Sequence, residues 1–334
     1  MGKVYNIEDW KEEAVVATVG FFDGVHIGHR YLLGEMRKLA DKRGLPTAVI
    51  TFAIHPRIVL HSDYQPKLLN SFDEKLELLS NTGVDYIIVV DFTLSLATLT
   101  AREFITDILS AKLHVKALVI GYDHRFGHLR TEGFEQYSAY GEECGMEVVK
   151  ASSFADEGLA INFSMYRQQA RDRLSINEEG NDGYAISSST VRYLITSGNV
   201  AGASRALGYF YRLKGHVIYG HRVGREIGFP TANIAVDEKF KVIPLNGSYA
   251  VWIVIDDRRY KGMLYIGSRP TFEYDDSISI EVNIFDFSED IYNKSVIVEF
   301  VEFIREDMKF DSLDDLRKQM REDKEKAIIE LKTS

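Results

Sequence analysis

Short apolar runs alternate with amphipathic stretches through the first half of the chain. Four runs are continuous enough to predict strands buried on both faces, at residues 14–19, 47–52, 86–90 and 117–120. Helical patterns lie between them, including residues 29–41 and 132–144 and the capping-box starts Ser71/Glu74 and Thr100/Glu103. This alternation predicts an α/β domain with a doubly wound parallel sheet, whose ligands bind at the carboxyl ends of the strands.

The pattern changes near residue 205. Alternating apolar and polar residues predict strands at 249–255, 260–266, 278–285 and 296–303, with turn signals such as Asn246 and Gly247 between them. We interpret this half as a small antiparallel β-barrel, closed by an amphipathic helix over residues 312–331. We therefore expect two domains, residues 1–196 and 197–334.

Composition narrows the classes of partner. The 40 basic residues are outnumbered by 50 acidic ones, which leaves no broad basic field for a nucleic-acid backbone. Cys144 is the only cysteine, so neither an intrachain disulfide nor a cysteine zinc cluster can form. No signal region and no apolar stretch of about 18 residues is visible. We expect a cytoplasmic protein, a monomer or weak homo-oligomer, with no membrane or nucleic-acid partner.

The segment GFFDGVHIGH, residues 20–29, falls directly after the first predicted strand and before the first helix. Its glycines permit turn angles and close backbone approach to a ligand, and the helix start offers N–H groups to a phosphate. His26 and His29 are three residues apart, so both can face one ligand and stabilise charge as a pyrophosphate bond breaks. The alternative is a glycine-rich turn with two surface histidines.

Three further segments extend this pattern: TFAIHP at 51–56, GYDHRFG at 121–127 and ISSSTVR at 186–192. With the HxGH signature of nucleotidyltransferases, they resemble the adenylyltransferase half of bacterial bifunctional riboflavin kinase/FAD synthetases, with Ser189 where relatives have Thr. The resemblance implies that His26, His29 and Arg192 are catalytic. It further implies ATP contacts at Phe21, Asp23, Gly24, Gly28, Ser187 and Ser188, and flavin contacts at His55 and Asp123.

Simpler interpretations remain open for several of these residues. A serine run at a helix start is commonly an N-cap. His55 precedes Pro56 and could be a polar turn residue, and Asp123 could be an exposed turn residue.

The glycine-rich stretch at 215–233 resembles the GxVxxGxxxGRxxGFPTAN sequence of riboflavin kinases. The resemblance implies that Gly220, Gly224 and Arg225 contact ATP and that Thr231 and Asn233 help coordinate Mg²⁺, which prefers such oxygen ligands. It also implies that Glu281 is the catalytic carboxylate and that Arg305 lies near the flavin. Taken alone, PTAN could be a turn into a strand, and Glu281 could face outward from one.

We therefore expect an enzyme that uses ATP and Mg²⁺ to convert riboflavin to FMN and FMN to FAD. Two positions depart from the family pattern: Tyr265 where relatives have Asn, and Asn283 where they have His. They motivate a first alternative, an adenylyltransferase with a degenerate kinase barrel. The second alternative is a flavin-binding module without turnover, which the presence of all the phosphate-facing residues disfavours.

Overall fold

The computed structural model describes residues 2–11, 14–60, 63, 65–121, 125–127, 131–152, 186–220, 228–268 and 278–333. The chain divides into two compact units, Met1–Ser188 and Ser189–Ser334. The boundary expected from the sequence lies at the far end of the helix that begins at Ser188.

The first unit contains a parallel sheet that has six strands in the described residues. The strands are β1 (Lys3–Asn6), β2 (Val15–Val19), β3 (Thr47–Phe52), β4 (Tyr86–Val90), β5 (Val115–Ile120) and β6 (Glu147–Lys150). Their order is β1-β4-β3-β2-β5-β6, and every pairing is parallel. The direction of winding reverses between β2 and β5, so their carboxyl ends form the crevice in which such sheets bind ligands.

Helices connect these strands. They are α1 (Ile27–Arg43), α2 (Pro56–Leu60), α3 (Phe72–Ser80), α4 (Leu94–Ala97), α5 (Ala101–Glu103), which continues into a π-helical segment (Phe104–Lys112), and α6 (Phe134–Glu143). Both predicted capping boxes are confirmed. In α3 the Ser71 hydroxyl accepts from the Glu74 N–H, and the Glu74 carboxylate accepts from the Ser71 N–H. Thr100 and Glu103 repeat the arrangement in α5.

The second unit contains a closed antiparallel barrel, which confirms the predicted fold class. Its strands in the described residues are β7 (Arg212–Ile218), β8 (Ala232–Val236), β9 (Gly247–Ile255), β10 (Arg258–Ser268), β11 (Ile278–Ile284) and β12 (Ser295–Glu306). They pair in the order β10-β11-β8-β7-β12-β9, and β9 pairs with β10 to close the barrel. The accompanying helices are α7 (Ser188–Thr196), α8 (Val200–Leu207) and the terminal α9 (Leu313–Thr333).

Alternate residues of each barrel strand face its interior or its outer surface. Tyr249, Leu264 and Phe300 are fully buried in the barrel core. The intervening Ala250 and Met263 face outward and join a separate apolar cluster with Ala327 and Leu331 of α9. The terminal helix therefore covers part of the outer face, next to the strand that carries Glu281.

No helix within the described ranges is both long and apolar enough to cross a membrane.

Candidate active sites

The loop from Gly20 to His26 joins the carboxyl end of β2 to α1. Within this loop, Phe22, Gly24 and Val25 have positive φ angles of 56°, 87° and 36°. Bulky or β-branched residues such as Phe22 and Val25 rarely adopt such angles, which persist only where the surroundings enforce them. Phe22 and Val25 are both buried, so packing holds the loop in this shape.

His26 and His29 meet at the start of α1. The His26 Nδ1 accepts a hydrogen bond from the His29 backbone N–H over 3.3 Å and so caps the helix. Because Nδ1 is an acceptor, the neutral His26 ring carries its proton on Nε2. The two rings stack with centroids 3.6 Å apart, and the Phe22 ring lies edge-on to His29 at 5.1 Å. Two imidazoles thus lie together at the positive end of the helix dipole.

Ile186 and Ser188, at the end of the first unit, contact this loop. The Ser188 hydroxyl donates to the backbone carbonyl of Asp23 over 2.8 Å. A Cβ at Gly28 would lie 3.2 Å from the Ile186 carbonyl oxygen, so glycine permits this close approach. Ser187 lies between these two contacts in the chain, and Arg192 follows one helical turn after Ser188. The structure thus brings together two segments that the sequence separates by more than 150 residues.

The carboxylate of Asp23 faces the protein interior. Asp23 is only 4% exposed, and its carboxylate accepts hydrogen bonds from the backbone N–H groups of Leu69, at 2.9 and 3.2 Å, and Asn70, at 3.3 Å. This residue was expected to contact ATP. In the structure the Asp23 side chain anchors the segment before α3, and the Asp23 backbone carbonyl accepts a hydrogen bond from the Ser188 hydroxyl.

The ends of β2 and β3 bring Phe21 and His55 together. Their rings contact edge-to-face with centroids 4.6 Å apart. The Thr51 hydroxyl donates to the Phe21 carbonyl over 3.3 Å, and the His55 Nδ1 accepts from the Arg57 N–H at the start of α2. Asp123 lies outside the described residues.

Lys75 is a buried residue of this region that the sequence interpretation missed. It is 2% exposed, donates to the Phe52 carbonyl over 2.7 Å and lies 3.9 Å above the centroid of the Phe21 ring. Burial lowers the pKa of Lys75 to about 7, although the nearby Asp23 carboxylate opposes this shift. One signal was available: Lys75 is spaced three and four residues from Leu78 and Leu79, which places it on the apolar face of α3.

In the second unit, a row of paired positions crosses five neighbouring strands of the barrel. Directly paired residues share one face of a sheet. This face is the outer one, because α9 packs against the same face two residues further along β9 and β10. The row consists of Asn233, Glu281, Tyr265, Ser248 and Arg305.

Glu281 lies at the centre of the predicted kinase residues. Its carboxylate accepts hydrogen bonds from the Thr231 hydroxyl at 3.2 Å and the Ser279 hydroxyl at 3.1 Å. Asn233, which is 6% exposed, pairs directly with Glu281. A Cβ at Gly220 would collide with the Asn233 side-chain amide, so only glycine leaves this amide in place. Gly224 and Arg225 lie outside the described residues.

Arg305 is fixed to the terminal helix. Its Nε donates to both carboxylate oxygens of Asp323, at 2.9 and 3.1 Å. The two side chains are 14% and 3% exposed, so the ion pair is largely removed from solvent. This pair holds one end of the row against α9.

Both departures from the family pattern make specific contacts. The Tyr265 hydroxyl donates to Asp307 over 2.7 Å, and burial together with this carboxylate raises the pKa of Tyr265. Its ring lies over Gly267, where a Cβ would collide with it. The Asn283 amide donates to the Pro230 carbonyl over 2.7 Å. It thereby supports the backbone directly before β8, where Thr231 lies. Neither residue displaces Glu281 from its hydroxyl partners.

Comparison with known proteins matches both units. A family model described as FAD synthetase matches residues 8–164, and one described as riboflavin kinase matches residues 207–330. A protein of Listeria monocytogenes is 34% identical over 95% of this chain and 93% of its own length. A protein of Escherichia coli K12 is 34% identical over 96% and 94%. Both are named bifunctional riboflavin kinase/FMN adenylyltransferase.

A solved structure is similar to nearly the whole chain. It is a crystal structure of a Streptococcus pneumoniae protein named macrolide-efflux protein, with a TM-score of 0.81 and 32% identity. The similarity covers 96% of this chain and 97% of that one.

The buried lysine makes the stability of the first unit depend on pH. Between about pH 7 and pH 10, unfolded Lys75 holds a proton that native Lys75 has released. We therefore expect the free energy of unfolding to rise with pH in this window, by up to about 1.4 kcal/mol per pH unit from this residue. Lys75→Met should remove that contribution.

Urea denaturation at several pH values measures this effect. In a Trp252→Phe background, Trp10 is the only tryptophan and reports on the first unit alone. Lys42→Met changes an exposed lysine and serves as the control. Equal pH dependence in the parent protein and Lys75→Met would contradict the expectation.

Proposed function

This chain belongs to the family of bifunctional riboflavin kinase/FMN adenylyltransferases, and on that premise we propose that the clusters around His29 and Glu281 are its two active sites. The enzyme phosphorylates riboflavin to FMN and transfers an adenylyl group to FMN to give FAD. The assignment of the first activity to the barrel, and of the second to the α/β unit, follows the residues that each family model matches.

The observation that carries the kinase assignment is the placement of Glu281 beside Thr231 and Asn233. We assign Glu281 to orient the terminal ribityl hydroxyl of riboflavin and accept its proton as the oxygen attacks the γ-phosphorus of ATP. The hydroxyls of Thr231 and Ser279 hold the carboxylate in position before substrate binds. Gly220, Gly224 and Arg225 are assigned to the ATP loop, and Arg305 to the flavin.

The donor set at this site suits a magnesium ion. Thr231 supplies a hydroxyl oxygen that contacts the Glu281 carboxylate, and Asn233, which pairs with Glu281 on the neighbouring strand, carries an amide oxygen. Such hard oxygen donors are those that Mg²⁺ prefers. No group of three or more histidine, cysteine or carboxylate side chains in the described part of the chain could hold a metal ion. Bound Mg²⁺ would neutralise phosphate charge during transfer.

In the adenylyltransferase site, a phosphate oxygen of FMN attacks the α-phosphorus of ATP, and pyrophosphate leaves. We assign His26, His29 and Arg192 to stabilise the charge on the leaving group. The tautomer of His26 directs an Nε2–H donor away from its own helix cap. The strained loop and the start of α1 offer backbone N–H groups to the triphosphate.

The remaining predicted residues frame this site. Asp23 contributes through its backbone and by holding the loop, since its carboxylate binds the amides of Leu69 and Asn70. His55 and Asp123 are assigned to the flavin. The assignments to the nucleotide are Phe21, Gly24, Gly28, Ser187 and Ser188.

The substrates and the net charge suggest the compartment and the partners of the enzyme. Both reactions consume ATP, so we propose that the enzyme works in the cytoplasm. Its net charge of −10 gives no support to a nucleic-acid partner. The monomeric or weakly homo-oligomeric state stays a prediction.

The two assignments predict that one substitution in each site lowers the activity of that site and spares the other activity. Glu281→Gln should lower FMN formation from riboflavin by roughly 100- to 10,000-fold and leave FAD formation from added FMN intact. His29→Asn should lower FAD formation by roughly 100-fold or more and leave FMN formation intact.

Chromatographic separation of riboflavin, FMN and FAD after incubation with ATP and Mg²⁺ measures both activities in one preparation. Each variant is the control for the other, because each should keep the activity of the unaltered unit. FMN formation at the parental rate by Glu281→Gln would overturn the kinase assignment.

Gly220→Ala tests the position of Asn233. The added methyl group should displace the Asn233 amide and lower FMN formation by roughly 100-fold, because small misplacements in a site have such effects. FAD formation from FMN by the same sample should be unchanged. In the control Gly34→Ala, the added Cβ meets nothing within 4 Å apart from its chain neighbours and the backbone of its own helix. Full kinase activity in Gly220→Ala would show that Asn233 does not need this space.

A further inference from the structure

Lys75 is a buried cation that neither active-site assignment uses. Its ammonium donates to the carbonyl of Phe52, the last residue of β3, and lies over the ring of Phe21, which follows β2. The group is 2% exposed. One side chain of α3 therefore joins the carboxyl ends of the two neighbouring strands that lead into the nucleotide loop and into His55.

The groups around this ammonium lead directly to the proposed site. The Phe21 ring contacts His55 edge-on at 4.6 Å, and Phe21 lies two residues before Asp23 in the glycine loop. Asp23 is the carboxylate whose charge acts on Lys75. The ammonium thus contacts both strand ends that border the proposed site, through the Phe52 carbonyl and the Phe21 ring.

Stability alone does not explain a lysine here. Removing an ammonium from water is unfavourable. Among the described residues, the compensating partners are the Phe52 carbonyl, the rings of Phe21 and Phe72, and the negative charge of Asp23. An apolar side chain of similar length would pack against the same two rings without that cost. Burial of this cation therefore destabilises the fold, and its position allows it to act on the proposed site.

We propose that Lys75 is a positioning residue for adenylyl transfer, whose ammonium holds Phe21 and the end of β3 so that the glycine loop and His55 face the nucleotide correctly. The proposal rests on the assignment of adenylyl transfer to the first unit. Lys75 acts through Phe21 and Phe52 and takes no proton from the substrate.

The test compares full-length Lys75→Met and Lys75→Arg with the parent enzyme. In FAD synthesis from FMN and ATP below pH 7, where native Lys75 keeps its proton, the Met variant should lose roughly tenfold to 100-fold in kcat/KM. The Arg variant should recover most of this loss, because guanidinium stays charged, donates to carbonyls and stacks on aromatic rings. FMN formation from riboflavin, which belongs to the other unit, should stay at the parental level in both.

A pH series separates positioning from mere support of the fold. As pH rises through 7, the parent enzyme should lose adenylylation activity as Lys75 loses its proton, while Lys75→Arg keeps its activity to higher pH. His55 and Asp23, which also face this region, are common to both proteins, so the difference between the two profiles reports on residue 75. Identical profiles would overturn the proposal even if Lys75→Met failed to fold.

Two further outcomes are decisive. Parental kcat and KM for FAD synthesis in a folded Lys75→Met would refute the role of Lys75, as would a loss that only matches the unfolded fraction reported by Trp10. Lys42→Met, an exposed substitution in the same unit, should leave both activities unchanged. Failure of the parent enzyme itself to make FAD from FMN would refute the proposed function, a separate result.

Discussion

Backbone hydrogen bonding between neighbouring strands decides which side chains can meet at either site. In the sheet, Val19 pairs with Ile50, so the residues that follow both strands emerge together, and Phe21 reaches His55. In the barrel, Glu281 pairs with Asn233 on one side and Tyr265 on the other. A slip of one residue in either register would turn these side chains to the opposite face, because side-chain direction alternates along a strand.

The glycine loop is held in shape by residues far from it in sequence. Its positive φ angles at Phe22 and Val25 are unfavourable, and they are sustained by burial of both side chains. The Asp23 carboxylate binds the segment before α3, and Ser188 binds the Asp23 carbonyl. A loop fixed in this way needs no reorganisation to present its N–H groups, which suits the proposed electrostatic stabilisation of a departing pyrophosphate.

The predicted kinase residues lie on the outer face of the barrel, and large side chains pack its interior. Tyr249 and Phe300 are fully buried there, and their rings contact edge-on. The outer face is covered in part by α9, to which the buried pair of Arg305 and Asp323 fastens the end of the row. The terminal helix, which the sequence presents as a charged amphipathic element, thus contacts one of the predicted kinase residues, Arg305.

The sequence by itself determined the elements and the motifs of this protein. Long apolar runs, capping boxes and glycine-rich segments each depend on residues close together in the chain, and all were recognisable there. The pattern does not predict strands such as β1 and β7. The edge strand β1 buries little apolar surface, and β7 overlaps the glycine-rich motif. Only the tertiary structure decided that Asp23 binds backbone amides, that Lys75 is buried, and that Arg305 pairs with Asp323. These facts depend on contacts between segments that are distant in the chain. The pattern of apolar and polar residues in one segment does not specify which distant segment it will contact.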